Sequence, residues 1–435
     1  MTAMPGYAGR RARLAAAMQP GAVAIVPTAP EALRNGDSEY PYRHDSYFYY
    51  LTGFDEPEAV LVLAQGKAIL FCRPRDPERE IWDGLRHGPD GAREAFGFDE
   101  AYAVGELDAR MPGLLADASA LYYASGKHAQ VDAQLARWLD AVRQRARSGV
   151  TAPETVHNVR VLLDEMRLIK DDAEQALMRR AALVSSRAHE RAMRATRTGM
   201  REYEIEAELL YEFRRNGAQS PAYTPIVASG PNACILHYNQ NRRQVADGDL
   251  VLIDAGCELD GYASDITRTY PASGRFSAPQ QALYELVLAA QAAAMAEARP
   301  GLPYSGMHDA ALRVLAQGMV DLKLVPHASA DDAIAERAHQ QFYMHGTGHW
   351  LGMDVHDCGS YRDLQAEGRP SRALAPGMVL TVEPGIYVRP AQGVPEQYWN
   401  IGIRIEDDVL VTAGACDVLS DAPKLVADIE HLMQR

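Results

Sequence analysis

Short apolar runs and helical periodicities alternate along the first part of the chain. Ala22 to Val26 reads as a strand that follows a first helix. Tyr47-Phe48-Tyr49-Tyr50-Leu51 and Ala59-Val60-Leu61-Val62-Leu63 are continuous apolar stretches bounded by Thr52-Gly53 and Gln65-Gly66, which predicts two buried strands. Ala129 to Arg147 has helical spacing. The pattern changes near Lys170. There Asp172, with Gln175 three residues on, predicts a capping box opening a long helix from Ala173 to about Arg197. A second helix over Arg201 to Arg215 stops at Asn216-Gly217. Strands with glycine-rich turns follow, then helices over Pro279 to Ala298 and Met307 to Gln317, then strands to the end. This order predicts an α/β domain over residues 1–170 and an α+β domain over 171–435. A chain of 435 residues exceeds the roughly 250–300 at which one core stops growing, so two domains are expected.

The second half repeats itself. Ala246-Asp247-Gly248-Asp249-Leu250-Val251-Leu252-Ile253-Asp254-Ala255-Gly256 aligns with Ala375-Pro376-Gly377-Met378-Val379-Leu380-Thr381-Val382-Glu383-Pro384-Gly385. Both read as a turn, a buried strand, a carboxylate and a glycine. A second strand follows in each copy, Gly261 to Asp265 and Gly402 to Glu406, and again ends on an acid. Strand alternation puts Asp265 and Thr267 on the face opposite Ile266, and Arg404 and Glu406 opposite Ile403 and Ile405. Taken singly, an acid at a strand end is most often a solvated turn residue. Two matching copies instead predict hairpins facing each other about a pseudo-twofold axis, with four carboxylates converging. Like charges so close force protonation unless cations compensate them, and two divalent ions would balance the four charges.

Three histidines fall beside this cluster in sequence, His345, His349 and His356, within His345-Gly346-Thr347-Gly348-His349 and the following Trp350-Leu351-Gly352-Met353-Asp354-Val355-His356-Asp357. A single histidine is usually a satisfied core residue. Three so close to acids predict at least one metal ligand. His237, in Ile235-Leu236-His237-Tyr238, carries a weaker signal and locally reads equally well as structural.

Composition narrows the chemistry. Forty-four basic residues against 58 acidic ones give a net charge of −14, which disfavours nucleic acid as a partner. No apolar stretch has the length of a membrane span. The paired Arg10-Arg11 precede an apolar segment broken by Gln19-Pro20-Gly21, so a first helix is expected there rather than a secretion signal. Five scattered cysteines, without a CxxC pair, argue against a disulfide framework or zinc ribbon and for a reducing, cytoplasmic setting. Motifs for a P-loop, HExxH zinc protease or Gly-x-Ser-x-Gly hydrolase are absent, and the glycine-rich Gly84 to Gly91 lacks a nucleotide-site context.

Together these segments resemble the pita-bread metallopeptidases, most closely their aminopeptidase P branch. The match spans Tyr47 to Phe54, like a creatinase-like N-terminal domain, and Asp164 to Lys170, like the interdomain junction. Its specific part is residues 235–238, 253–271, 345–357, 382–387 and 402–408. The resemblance implies a pita-bread catalytic domain with a pseudo-twofold repeat, and hydrolysis of the first bond of Xaa-Pro peptides by a metal-bridging hydroxide. It implies Asp254, Asp265, His349, Glu383 and Glu406 as ligands of two divalent ions. Asp265 and Glu406 would be shared, Asp254 would serve one ion, and His349 with Glu383 the other. Glu383 would accept a proton, while His237 and His356 would stabilise or shuttle protons at the tetrahedral intermediate. His345, Val355, Tyr387 and Arg404 would line a proline pocket, and Trp82 would reach an active site from a neighbouring subunit. Gly348 stands where close relatives often have serine. Four carboxylates and one imidazole form a hard donor set, which favours manganese, with zinc, cobalt or iron tolerated. The family commonly forms dimers or tetramers, so a homo-oligomer is expected. Prolidase is the nearest alternative. Trp350 and the short path to Val355 favour the aminopeptidase. Methionine aminopeptidase lacks so long an N-terminal domain, and creatinase lacks the ligands. A non-catalytic peptide-binding protein of the same fold is the alternative from another class.

Overall fold

The protein is described by a computed structural model over residues 6–434. It divides into two compact units, Met1–Arg167 and Leu168–Arg435.

The first unit is built on a six-stranded sheet. Its strand order is Glu100–Ala103, Lys67–Cys72, Val60–Ala64, Val23–Pro27, Leu121–Tyr122, Val156–His157. The three central strands pair antiparallel, whereas the pairings at either side are parallel. Val23, Ile25, Val62, Phe71, Met111, Leu115 and Trp138 form a core between the sheet and the helices Leu107–Leu115 and Ala129–Arg143. The segment Tyr47–Leu51 departs from expectation, because it lies within an α-helix, Ser46–Thr52, and not in a strand. Asp45 caps it by accepting from the Tyr47 and Phe48 amides at 2.9 and 3.0 Å, and Gly53 ends it with φ 64°. Burial on nearly every side makes its pattern continuously apolar, so only the caps distinguish it from a buried strand.

The second unit opens with the helix Asp172–Ala195. Its capping box is one residue earlier than the sequence pattern suggested. Asp171 Oδ1 accepts from the Glu174 amide, and Glu174 Oε2 accepts from the Asp171 amide, each at 2.9 Å. Gln175 instead donates to the Lys170 carbonyl. The helix Glu202–Arg215 packs beside it, tied by Arg191 to Glu208 at 2.6 Å. The helices Ala278–Glu297 and Ser305–Asp321 pack on each other in the same way.

Each sequence repeat is one long antiparallel hairpin. In the first, Leu250–Asp254 pairs with Thr267–Pro271, and the register continues unbroken through Cys257–Leu259 and Tyr262–Ala263. It closes at Asp260-Gly261, both with positive φ, the backbone a two-residue hairpin loop needs. In the second, Val379–Val382 pairs with Asp407–Leu410, and Gly385–Val388 with Ile401–Arg404. The copies differ in register by one pleat. Ile253 faces Arg268, but its counterpart Val382 faces Asp407, two residues short of the aligned position. A slip of two residues preserves side-chain parity, so the acids of both copies stay on one face.

Candidate metal centre

The two hairpins meet at a bridge between Thr267 and Glu406. A third segment runs along the second hairpin. The Thr381 amide donates to the His349 carbonyl at 2.9 Å and the Glu383 amide to the Thr347 carbonyl at 2.7 Å. That pairing brings His349 alongside Glu383. It demands close backbone approach at Gly348, where an added Cβ would lie 1.9 Å from the Thr381 carbonyl oxygen. Serine in this place therefore requires these two segments to move apart.

Asp265, His349 and Glu406 each turn one ligand atom to a common point, all within 4.8 Å of one another. His349 Nε2 lies 3.3 Å from Asp265 Oδ2 and 3.8 Å from Glu383 Oε1. Its Nδ1 is 3.0 Å from the Trp350 carbonyl, so Nδ1 carries a proton and Nε2 is the nitrogen that faces the acids. Asp254 joins through Tyr223, whose hydroxyl lies 2.5 Å from Asp254 Oδ1 and also reaches Asp265. The five residues implied as ligands thus form one connected group inside the second unit.

The electrostatics are those of a site built for cations. Burial, reinforced by the neighbouring carboxylates, drives the Glu406 carboxyl far above its ordinary range. Burial likewise lifts Glu383 to about 7 and raises Asp254. Burial pushes on Asp265 too, but the bonds and charge of His349, with Tyr223, hold it below the usual carboxylate value. His349 rises to about 9 although burial opposes this, because Asp265 and Glu383 face it. Among the described residues Arg404 is the one guanidinium bonded to these carboxylates, and its charge together with that of His349 cannot offset four acids. Four carboxylates and an imidazole suit a hard divalent ion, so the residues present fit a metal.

A directed chain of hydrogen bonds runs behind the acids. Arg404 Nη2 donates to Asp254 Oδ2 at 2.5 Å, and Nη1 donates to the Tyr387 oxygen at 2.8 Å. Tyr387 can then give its own proton to His345 Nε2 at 2.8 Å, while His345 Nδ1 donates to the Gly346 carbonyl at 2.7 Å. Burial, with Arg404 nearby, lowers His345 to about 3, so this imidazole is neutral. His345 Nδ1 is 3.9 Å from Glu383 Oε2. Tyr387 and Arg404 are buried behind the cluster, whereas Val355 is half-buried in the loop before His356. The His356 ring stands edge-on to that of His349, centroids 4.3 Å apart. Burial and then the His349 charge lower its proton affinity. Exposed His237 adds a smaller push on both His345 and His356. Trp82 belongs to the first unit, on the helix Pro77–Asp83, with 82% of its surface exposed.

Three supporting residues had little or no sequence signal. Tyr223 sits in Pro221-Ala222-Tyr223-Thr224-Pro225, where nothing local marks it. Thr267 follows from strand parity with Asp265, and its hydroxyl donates to Glu406 Oε2 at 2.6 Å. Asp408 accepts from the Asp265 amide at 3.1 Å, and the run Glu406-Asp407-Asp408, fully buried, was the available clue.

A carboxylate and imidazole cluster at the seam of two hairpins has the donor set of a hydrolytic metal centre. The sequence model of metallopeptidase family M24 matches residues 176–413, and that of the aminopeptidase P N-terminal domain matches residues 7–122. The chain belongs to metallopeptidase family M24, with the pita-bread fold in its second unit. It is 46% identical over 430 residues to the Xaa-Pro aminopeptidase of Escherichia coli, covering 98% of this chain and 96% of that one. The structure of Pseudomonas aeruginosa aminopeptidase PepP superposes with a TM-score of 0.96 at 52% identity, covering 98% of this chain and 97% of the other. A substrate complex of a variant E. coli aminopeptidase P superposes at 0.95, with 45% identity and the same coverage.

Proposed function

We propose that this chain is a metal-dependent Xaa-Pro aminopeptidase, which removes the first residue of peptides that carry proline second. The convergence of Asp265, His349 and Glu406 on one point, with Asp254 and Glu383 bonded or adjacent to the same group, carries this reading. High identity over nearly the whole length to proteins named Xaa-Pro aminopeptidase supports the substrate class.

Two divalent ions, manganese first, would be held by these five residues. Asp265 and Glu406 would be shared, Asp254 would serve one ion, and His349 with Glu383 the other. When bound, such ions supply Lewis acidity and a water of lowered pKa. The chain's own groups do the rest. Glu383, beside His345 and His349, accepts the proton of the attacking water. His237 and His356 donate to the oxyanion and the leaving nitrogen. Neutral His345 and Val355 form the wall for the proline ring. Tyr387 and Arg404 complete that pocket, and their bonds to His345 and Asp254 hold it in place.

Exposed Ile81, Trp82 and Leu85, each more than four-fifths accessible, support a homodimer or homotetramer. Five free cysteines support a reducing, cytoplasmic location. A peptide panel with Mn²⁺ tests the activity. Release of the first residue from Xaa-Pro-Zaa tripeptides, and little from Xaa-Ala-Zaa, is expected. Faster cleavage of Xaa-Pro dipeptides would make the protein a prolidase, and no cleavage of any peptide would make it a binding protein.

A further inference from the structure

We infer that Lys170 is a positioning residue for His356, acting through a buried ion pair with Asp357; the inference rests on the function proposed above. Lys170 lies at the very start of the second unit, before the helix Asp172–Ala195. Its backbone is tied on both sides. The amide donates to the Gly377 carbonyl at 2.8 Å, and its carbonyl accepts from Gln175 Nε2 at 2.9 Å. From this fixed base the ammonium reaches Asp357 Oδ2 at 2.9 Å, and the two side chains are 1% and 0% exposed.

Such a pair is a poor device for stability alone. Stripping water from both charges costs about as much as their attraction returns, and a well-packed apolar pair of similar size often does as well or better. What the pair does supply is a fixed point, and its location gives that point a use. Asp357 closes a tight loop by donating its amide to the Trp350 carbonyl at 2.9 Å. Within the loop, Gly352 accepts from the Ala263 amide at 2.8 Å. A Cβ on Gly352 would fall 2.1 Å from Asp357 Oδ2 and 3.1 Å from Lys170 Cε, so the loop is wrapped directly on the ion pair. His349 precedes the start of this loop and His356 its end, and their rings meet edge-on at 4.3 Å. Displacing the Asp357 side chain therefore displaces His356 against His349, while Asp254, Asp265, Glu383 and Glu406 keep their own partners and His349 keeps the Trp350 carbonyl, which the Asp357 amide shares.

A double-mutant cycle on metal-loaded, full-length protein tests this with an Xaa-Pro-Zaa tripeptide. Lys170→Met is expected to lower kcat about tenfold or more with bound metal and KM little changed. In a His356→Ala background the same substitution is expected to cost less than about twofold, because residues acting as a unit are not additive. Equal losses in both backgrounds, or an unchanged kcat, would overturn the inference. Should Lys170→Met fail to fold, Lys170→Met with Asp357→Leu removes both charges together, and the same pattern is expected. If that pair also fails to fold, the ion pair serves folding itself and the assignment to His356 is wrong. A wild-type protein inactive on every Xaa-Pro peptide would instead defeat the underlying functional reading.

Discussion

Thr267 bonds Glu406 twice: its carbonyl accepts from the Glu406 amide at 3.1 Å, and its hydroxyl donates to Glu406 Oε2 at 2.6 Å. Thr267 comes from the first hairpin and Glu406 from the second, so this contact is the seam of the repeat. The same hydroxyl accepts from Arg404 Nε at 3.2 Å. Thr267→Val keeps the shape and removes both side-chain bonds. Loss of such an outer partner typically costs about ten- to a hundredfold in metal affinity. A manganese titration of the variant should show a loss of that size with the fold intact; unchanged affinity would mean that Glu406 is held by its backbone alone.

Arg404 ties Asp254, Thr267 and Tyr387 together with three different nitrogens. Lysine offers one point charge and cannot span that fork. Arg404→Lys should therefore lower kcat/KM for an Xaa-Pro-Zaa peptide by about tenfold or more, at about 1.4 kcal/mol per tenfold. Steady-state kinetics at saturating metal read this directly, and full activity would remove Arg404 from the account.

Chelator-treated protein should have a characteristic pH dependence. Glu383 is raised from 4.5 to about 7, and His349 from 6.5 to about 9. The folded chain thus holds protons that the unfolded chain releases. Their stabilisation is full below the unfolded values and is lost as pH climbs through the folded ones. His345 and His189, depressed to about 3 and 4, act oppositely, but only below 6.5. Between pH 6.5 and 9 the Tm of stripped protein should fall. Manganese, which displaces those protons, should flatten or reverse the slope. A Tm that rises over this window without metal would contradict the charge assignment.

Asp407 supports the site from beneath. It is fully buried and bonded to Arg268 and Lys424 at 2.6 Å each, and Arg268 in turn donates to the Glu406 carbonyl at 2.6 Å. Burial opposes its ionisation, but the two cations hold it at about 2. Asp407→Asn strands Arg268, and breaking a buried pair in this way typically costs about 3–5 kcal/mol. Denaturant unfolding should report a loss of that order, and a change below about 1 kcal/mol would show that the network tolerates a neutral partner.

Much of this was legible in the chain because strand parity and duplication are properties of sequence. The repeat and the alternation of Asp265 with Ile266, and of Glu406 with Ile405, predicted which side chains share a face, and the structure keeps them there. The two-residue register slip between copies left no trace in the alignment, since it preserves parity. Tyr47–Leu51 reads as a strand in sequence because a helix buried on most sides loses its period, and the decisive groups, Asp45 and Gly53, lie outside the run. Tyr223 was invisible for a different reason. Its partners Asp254 and Asp265 lie more than thirty residues away, and only the folded sheet brings them to it.

The central proposal is that acids contributed by both hairpins would hold two cations at their seam. Counting bound manganese after equilibrium dialysis, with peptide turnover on the same samples, tests it most directly. The account predicts two ions per chain in the wild type. It predicts the loss of both metal occupancy and Xaa-Pro-Zaa cleavage in Asp265→Asn and in Glu406→Gln. One ion per chain in a fully active enzyme, or undiminished turnover in either variant, would contradict it.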